Sequence, residues 1–302
     1  MHILLTGGTG LIGRQLCHYW LAQGHRLSVL SRRPEQVARL CGAPVRGVAT
    51  LEELDGETLD AVVNLAGAPI ADRPWTHKRK ALLWSSRVTL TESLLAWLER
   101  REQRPEVLIC GSAVGWYGDG GERELDETST PVSEDFASQL CIAWEETAQR
   151  AEDLGIRVVL VRTGLVLAPG GGFLSRLLLP FKLGLGGPIG TGRQWMPWIH
   201  IDDEIALIDF LLHRRDASGP YNACAPKPVR NREFAKALGA ALHRPAFVPL
   251  PAFVLRLGLG ELAVLLLGGQ RALPSRLLAA GFTFQFTDLP AALDNVSARL
   301  EK

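Results

Sequence analysis

The stretch that decides the fold is Thr6-Gly7-Gly8-Thr9-Gly10-Leu11-Ile12-Gly13, close to the start of a 302-residue chain. Residues 2–6 before it have the composition of a buried strand, and Leu16 and Trp20 after it continue a helical spacing from Ile12. Glycines allow a tight turn between strand and helix, and they let backbone N–H groups approach a pyrophosphate at the positive end of the helix dipole. A plain strand-to-helix turn that needs a positive φ is the alternative. The flanking elements favour a dinucleotide site. Its predicted pyrophosphate-binding residues are Gly7, Gly8, Thr9, Gly10, Leu11, Ile12 and Gly13.

The end of the second predicted strand, residues 26–30, indicates which dinucleotide binds. Ser31, Arg32 and Arg33 stand where an NAD-binding fold usually places an acidic residue for the ribose 2′-hydroxyl. A hydroxyl followed by guanidinium groups suits a 2′-phosphate instead, because arginine offers a forked and permanently charged set of donors. We therefore predict NADP as the cofactor, held by Ser31 and Arg32. The alternative is that the arginines are solvated loop charges.

The first 165 residues alternate short β-branched runs with longer amphipathic ones, which is typical of a parallel sheet with crossover helices. The predicted strands are residues 2–6, 26–30, 44–48, 60–66, 106–110 and 156–162. After Gly164 the chain turns to glycine-rich loops interrupted by helical segments. We predict a doubly wound α/β Rossmann domain with a smaller, mainly helical C-terminal substrate lobe. The predicted Rossmann domain covers residues 1–165 plus about 202–225, and the lobe covers 166–201 and 226–302.

Composition excludes several classes of protein. The chain has 33 Lys+Arg against 32 Asp+Glu, which argues against a nucleic-acid surface. Its five cysteines have no paired spacing, which fits reduced thiols, a cytoplasmic location and no metal site. The most apolar later stretch, residues 250–269, contains Arg256 and Glu261, so it predicts two core helices rather than a membrane span.

Five short motifs together resemble the extended short-chain dehydrogenase/reductase superfamily, in its NAD(P)-dependent epimerase/dehydratase family. They are TGGTGLIG (6–13), SR (31–32), NLAG (64–67), RTG (162–164) and WIHIDD (198–203). Longer stretches such as GSAVGWYGDGGE (111–122) look like the uncharacterised epimerase-family proteins with a C-terminal domain of unknown function. The match covers the whole chain.

The resemblance implies further cofactor-binding residues. Leu65, Ala66 and Gly67, after the fourth strand, would line the adenosine side of the site. Arg87 stands where superfamily members often place a cofactor-binding asparagine, although it can equally pair with an acid on a neighbouring helix. Arg162, in the RTG motif, completes the predicted set.

The resemblance also implies a serine or threonine after the fifth strand, which holds the substrate oxygen, and a Tyr-x-x-x-Lys pair in the next helix for proton transfer. Ser112 fits the first role. When Glu145 is set against the acid that commonly follows the pair, however, the tyrosine position falls on Ala137 and the lysine position on Cys141. Tyr117 is then the predicted proton donor. The alternatives are a packing role for Tyr117 and a Cys141 thiol that faces the nicotinamide.

Two features of the second half leave both a ligand role and a structural role open. The loop of residues 184–192, next to Trp195 and Trp198, can close on a ligand or can pack the lobe. His200 and Asp202 superficially resemble metal ligands, but Asp202 opens an apolar helix, so capping is the predicted role.

These residues predict an NADP-dependent oxidoreductase or epimerase-like enzyme that acts on a small carbonyl or hydroxyl compound. Its predicted partner is a small-molecule substrate, with no nucleic acid and no membrane. The alternative is a redox-inactive NADP(H)-binding protein that senses cofactor state or docks onto a partner. The altered Tyr-x-x-x-Lys positions favour the alternative, whereas Ser112 and the glycine-rich lobe favour an enzyme.

Overall fold

The computed structural model describes residues 1–133 and 135–300, so residues 301 and 302 of the predicted lobe lie outside the described residues. The strands are β1 (His2–Thr6), β2 (Arg26–Leu30), β3 (Arg46–Val48), β4 (Ala61–Asn64), β5 (Val107–Ala113), β6 (Glu124–Leu125), β7 (Arg157–Thr163), β8 (Leu165–Leu167), β9 (Trp195–Met196), β10 (Trp198–His200), β11 (Gly219–Ala223), β12 (Val229–Arg230) and β13 (Arg271–Ala272). The α-helices are α1 (Leu11–Ala22), α2 (Val37–Cys41), α3 (His77–Trp84), α4 (Leu90–Glu99), α5 (Phe136–Gln149), α6 (Gly172–Lys182), α7 (Ile201–His213), α8 (Asn231–Ala241), α9 (Ala252–Leu259), α10 (Val264–Leu267), α11 (Ser275–Ala279) and α12 (Leu289–Leu300). A π-helical turn, Ser85–Thr89, joins α3 to α4.

Seven strands form one parallel sheet in the order β11-β7-β5-β4-β1-β2-β3. The chain winds outward in both directions from β1, whose neighbours are β2 and β4. Ligands of such sheets bind at the carboxyl ends of the strands beside this reversal point. The predicted doubly wound α/β fold is confirmed.

Helices cover both faces of the sheet because its strands are apolar on both faces. All five residues of β1 are buried. On one face, α1 contributes Leu16 and Trp20 to a core that α7 completes. On the other face, α4 and α5 contribute Leu94 and Trp144. The carboxyl edge of the sheet is therefore held from both sides.

The second half of the chain both extends the sheet and builds a separate core. Helix α7 packs against α1, and β11 pairs with β7 as the edge strand, so residues near 202–225 do return to the sheet. Helices α6, α8 and α12 enclose a further core around Phe181, Trp198 and Phe234. The strands β6 and β8 to β13 were not predicted, because these pairings depend on which segments the tertiary fold brings together.

The prediction of two core helices over residues 250–269 is confirmed in part: α9 and α10 form, and Leu262, Val264 and Leu265 pack into the core shared with α4 and α5, but most of α9 lies outside it. In α9 only one long side chain, that of Leu255, is buried, whereas Phe253 is 70% exposed and Leu257 is 87% exposed. The physical reason is that the sheet face is already covered by α4 and α5, which leaves one side of α9 without a neighbour. Across residues 1–133 and 135–300, no helix combines the length and the apolar character needed to cross a membrane.

Candidate functional site

The glycine turn between β1 and α1 lies against the backbone of the neighbouring loop. Gly7 has a φ of +70°, and a Cβ atom there would stand 2.6 Å from the carbonyl carbon and oxygen of Leu65. A Cβ atom at Gly13 would stand 2.4 Å from the carbonyl oxygen of Gly7. Glycine is therefore required at both positions, because any side chain would collide with the backbone packed against it.

The N-terminus of α1 is open. Its N-cap residue is Gly10, which supplies no side-chain hydrogen bond, and no acidic residue occupies the first turn. The first backbone N–H groups of a helix have no intrahelical partner and attract anions. The residues predicted to bind a pyrophosphate thus form a backbone cradle: Gly7, Gly8, Thr9 and Gly10 make the turn, and Leu11, Ile12 and Gly13 make the first turn of the helix.

The residues after β2 present a hydroxyl and two cations to solvent. Ser31 is half-buried, and its Oγ accepts a hydrogen bond from the backbone N–H of Arg33 at 3.1 Å. Arg32 and Arg33 are exposed, and neither forms an ion pair with a residue in the described ranges. Their guanidinium groups are therefore free to meet an anion at this end of the sheet.

A buried chain of hydrogen bonds fixes the loop after β4. The Thr6 hydroxyl donates to Asn64 Oδ1 at 2.5 Å, and Asn64 Nδ2 donates to the Thr91 hydroxyl at 2.8 Å. The Ala66 backbone N–H donates to Thr6 Oγ1 at 3.2 Å. These bonds hold Leu65, Ala66 and Gly67 at the carboxyl edge beside the glycine turn.

Arg87 reaches the same loop from the π-helical turn. Its Nη2 donates to the carbonyl oxygen of Ala68 at 3.0 Å, and a Cβ atom on Gly67 would stand 2.8 Å from its guanidinium carbon. Burial lowers the pKa of Arg87, and no carboxylate of residues 1–133 or 135–300 lies within ion-pair distance of it. Arg87 therefore keeps an uncompensated positive charge at the predicted cofactor site. A single π-helical turn often marks a functional position in this way.

The carboxyl ends of β5 and β7 carry a buried ionic cluster. Glu145, on α5, accepts two hydrogen bonds from Arg162, from Nε at 2.9 Å and from Nη2 at 2.8 Å. The Ser112 hydroxyl donates to Glu145 Oε1 at 2.5 Å. Both members of the pair are about 4% exposed. Ser112 thus lies at the carboxyl edge of the sheet, and its hydroxyl donates its hydrogen bond to a carboxylate.

Arg162, which the sequence predicts to bind the cofactor, is engaged by protein groups of this cluster. Besides its two bonds to Glu145, its guanidinium donates to the Tyr117 hydroxyl at 3.1 Å and lies 3.5 Å from the centre of the Trp116 ring. These protein contacts leave its charge already paired. Arg162 instead holds the cluster together.

The structure also argues against Tyr117 as the proton donor. Its side chain is fully buried, and its hydroxyl lies 2.8 Å from both the carbonyl oxygen of Asp126 and Oδ1 of Asn222. Burial raises the pKa of Tyr117 to about 12, against the lowering influence of Arg162. A phenol so enclosed has no route to a substrate, and the packing role is the one that fits.

The two positions predicted to replace the Tyr-x-x-x-Lys pair lie on α5 beside Ser112. Ala137 and Cys141 are 4% and 5% exposed, and burial raises the pKa of the Cys141 thiol to about 12. At neutral pH the thiol stays protonated and behaves as a small apolar group. The bond between Ser112 and Glu145 was not predicted, although Glu145 stands at helical spacing from Cys141 and Ala148, and an acidic residue on the apolar side of a helix indicates a buried polar partner.

In the lobe, the two tryptophans are structural. Trp198 is fully buried, and Trp195 lies between the guanidinium groups of Arg230, at 4.0 Å, and Arg271, at 4.9 Å. His200 caps α7 by accepting from the backbone N–H of Asp202 at 3.1 Å. Asp202 instead pairs with Arg299, so the predicted cap lies two residues earlier. In the part of the chain that the structure describes, no three His, Cys, Asp or Glu side chains are grouped as metal ligands.

Comparison with known proteins gives two family matches. Residues 3–224 match the NAD dependent epimerase/dehydratase family, and residues 250–296 match a domain of unknown function, DUF1731. The epimerase family protein YfhF of Bacillus subtilis is 38% identical over 302 residues, which cover 99% of this chain and 98% of that protein. The epimerase family protein SDR39U1 of Homo sapiens is 39% identical over 304 residues, which cover 99% of this chain and 100% of that protein.

A solved structure has the same fold over its whole length. The crystal structure of human epimerase family protein SDR39U1 (isoform 2) with NADPH has a TM-score of 0.89 to this chain, at 38% identity and 99% coverage of both chains.

Proposed function

This chain belongs to the NAD dependent epimerase/dehydratase family, and from that premise we propose that it is an NADP-dependent oxidoreductase acting on a small hydroxyl or carbonyl compound, with an active site that lacks the usual Tyr-x-x-x-Lys pair. The family resemblance seen in the motifs is confirmed by the match over residues 3–224. The observation that carries the proposal is the open N-terminus of α1 under the glycine turn, with Ser31 and Arg32 at the end of the adjacent strand.

The described residues fit a bound NADP. The turn of residues 7–13 would hold the pyrophosphate on backbone N–H groups, because Gly7 and Gly13 let the turn pack closely against neighbouring backbone and bring it to the N-terminus of α1. Ser31 and Arg32 would hold the 2′-phosphate, and Leu65, Ala66 and Gly67 would line the adenosine side. Arg87, which has no carboxylate partner in the described residues, would bind a phosphate or a substrate carboxylate. The human relative of known structure was crystallised with NADPH, which supports the choice of cofactor.

Ser112 is the group proposed to hold the reacting oxygen. When bound, the nicotinamide supplies or accepts a hydride at its C4 atom. Because the Ser112 proton is donated to Glu145, the lone pairs of its Oγ point away from the carboxylate and can accept a hydrogen bond from a substrate hydroxyl. Arg162 holds Glu145 in place through two hydrogen bonds. This orientation favours a hydroxyl compound as the bound substrate.

The second candidate function is a redox-inactive NADP(H)-binding protein. It is favoured by the apolar character of Ala137 and Cys141 and by the enclosed Tyr117 hydroxyl, since none of these groups can exchange a proton with a ligand near neutral pH. The cytoplasmic location that the unpaired cysteines indicate stays a prediction.

The first test is a titration with NADPH and with NADH, followed by nicotinamide fluorescence. We expect NADPH to bind more tightly, and Arg32→Ala to weaken NADPH about tenfold or more with NADH unchanged, since a hydrogen bond to a charged group contributes about 1.5–3 kcal/mol. Arg33→Ala is the matched control and should change NADPH affinity much less. Equal affinities for the two nucleotides would contradict the cofactor assignment.

The second test separates enzyme from binder. NADPH oxidation is followed with a panel of carbonyl compounds, and NADP⁺ reduction with the matching alcohols. Turnover that Ser112→Ala reduces, while NADPH affinity is unchanged, supports the enzyme. Tight NADPH binding with no turnover on any compound of the panel favours the binder.

A further inference from the structure

One surface of the lobe is more apolar than any other described part of the chain. Six large apolar side chains are more than 60% exposed, and all six lie in two neighbouring segments at the end of α6 and around α9. We call them the apolar ledge: Leu179, Leu183, Leu185, Phe247, Phe253 and Leu257. Leu257, at 87%, is the most exposed of them. Scattered exposed leucines are ordinary, but a contiguous apolar surface indicates a binding surface.

The two segments are joined by backbone contacts, so the ledge is one surface. The Val248 N–H donates to the carbonyl oxygen of Gly186 at 3.0 Å, and the Gly190 N–H donates to that of Leu250 at 2.8 Å. Arg244 Nε donates to the last carbonyl of α6, that of Lys182, at 3.1 Å. In each segment two exposed residues are four apart and therefore share a face: Leu179 with Leu183, the residue that follows α6, and Phe253 with Leu257 in α9.

The charges within the two segments that carry the ledge are all positive. Residues 172–193 and 242–260 contain five arginines and lysines and no aspartate or glutamate, although the whole chain has a net charge of only +1. Lys182, Arg244 and Arg256 are exposed beside the apolar side chains. The first carboxylate after the second segment, Glu261, is paired with Lys80 of α3.

We propose that the apolar ledge docks this protein peripherally onto an anionic lipid surface. The apolar side chains enter the headgroup region, and Lys182, Arg244 and Arg256 face the lipid phosphates. Exposed aliphatic and aromatic groups beside cations are the composition that binds such surfaces.

Two features favour lipid over the other possible occupants. In a two-fold dimer the ledge would face its own copy, and its cations would meet like charges with no carboxylate to offset them. The side chains also project from the surface, with exposures of 61–87%, whereas anchor residues of protein interfaces fill pockets. The charges of Arg256 and Glu261 argue against a membrane span over residues 250–269, and peripheral docking requires no span.

Docking would leave the nucleotide site open. Helix α6 starts beside Leu11 of the glycine turn, where a Cβ on Gly172 would stand 3.1 Å from the Leu11 side chain. The ledge begins at Leu179, seven residues further along this helix and about 10 Å away at 1.5 Å per residue, and it continues beyond the end of the helix. Lipid binding and NADPH binding can therefore be measured independently.

The test is co-sedimentation of the full chain with vesicles of phosphatidylcholine alone and with vesicles of equal parts phosphatidylcholine and phosphatidylglycerol. We expect binding to the anionic vesicles only, weakened by salt. The double variant Phe253→Ser/Leu257→Ser should lose about tenfold or more in partitioning. Lys182→Gln and Arg256→Gln should each lose about fivefold.

Leu278→Ser is the matched control, because Leu278 is 49% exposed on α11, outside the ledge. It should bind vesicles like the unaltered chain, and unchanged NADPH affinity would show that every variant is folded. Equal binding to both vesicle types, or retained binding by the double variant, would overturn the proposal. Absence of binding to either vesicle type would also overturn it. In that case, a dimer in light scattering that the double variant dissociates would assign the ledge to a second copy of this chain. A monomer would assign the ledge to a protein partner.

Discussion

Glu145 and Arg162 form an ion pair that is buried away from solvent. Each is about 4% exposed, and their two mutual hydrogen bonds, together with those of Ser112 and Tyr117, satisfy most of their polar atoms. A buried pair is seldom more stabilising than apolar residues of the same shape, but a broken pair is costly. The ion pair is therefore better explained by its role in positioning the Ser112 hydroxyl than by a gain in stability.

Glu145→Ala should lower the free energy of unfolding by about 3–5 kcal/mol, because it leaves the Arg162 guanidinium buried without a carboxylate. Urea denaturation measures the change. Glu145→Leu combined with Arg162→Met should recover most of the loss, since no unpaired charge then remains. A loss below about 1 kcal/mol for Glu145→Ala would mean that water reaches Arg162.

Glu204 predicts a pH dependence of stability. It is fully buried, its Oε1 accepts from the Thr163 hydroxyl at 2.8 Å, and Oε2 has no partner in the described residues. Burial raises its pKa to about 8, so between about pH 4.5 and 8 the folded state holds a proton that the unfolded state has lost. This contribution to stability is therefore present at low pH and falls as the pH rises through that window, by at most about 1.4 kcal/mol per pH unit.

Glu204→Gln should remove this slope and should be more stable than the unaltered chain at pH 8. Denaturation midpoints from pH 7 to 8 measure it, because His200, whose pKa burial lowers to about 4 from an unfolded value of about 6.5, is then largely neutral in both the folded and the unfolded state. Parallel pH profiles for the two proteins would show that Glu204 is ionised in the folded state.

Among the helices and strands, the N-terminus of α1 contributes most to the proposed cofactor site. The helix has no cap side chain and no acidic first turn, so its N-terminal N–H groups are left for a ligand. Its close approach to β1 depends on Gly13. The π-helical turn plays a similar part, because it brings Arg87 to the loop after β4.

Gly13→Ala should destabilise the protein by about 1–3 kcal/mol and should abolish tight NADPH binding, since a Cβ atom 2.4 Å from the Gly7 carbonyl oxygen forces the turn to move. Thermal unfolding and NADPH fluorescence measure the two effects. The matched control is Gly258→Ala on the exposed side of α9, where a Cβ atom meets nothing within 4 Å. It should leave NADPH binding unchanged and stability equal or slightly higher. Equal effects of the two substitutions would contradict this assignment.

At the scale of the whole molecule, the proposed cofactor site draws on elements from both halves of the chain. The glycine turn and the loop after β4 belong to the sheet, and α6, which packs on Leu11, belongs to the lobe. Arg176 of α6 also donates to the carbonyl oxygen of Ala71 in the loop after β4. Such a site exists only in the folded chain, so a ligand bound there stabilises the fold.

NADPH at a hundred times its Kd should therefore stabilise the protein by about 2.7 kcal/mol and raise Tm by about 4–8 °C. NADH at the same concentration should raise Tm less. Differential scanning fluorimetry measures both. An unchanged Tm with NADPH would contradict the cofactor assignment.

Six strands of the sheet, the glycine turn and the position of Ser31 and Arg32 at the end of β2 could be predicted from the sequence. These follow from interactions between residues close in the chain: apolar runs, turn glycines and what immediately follows a strand. The tertiary structure accounts for the features that could not be predicted. It bonded Ser112 to Glu145, 33 residues away, enclosed Tyr117 behind Arg162, and turned one side of α9 outward. Each depends on which surfaces the folded elements present to one another, and an apolar residue is equally compatible with a core or an exposed ledge until its neighbours are in place.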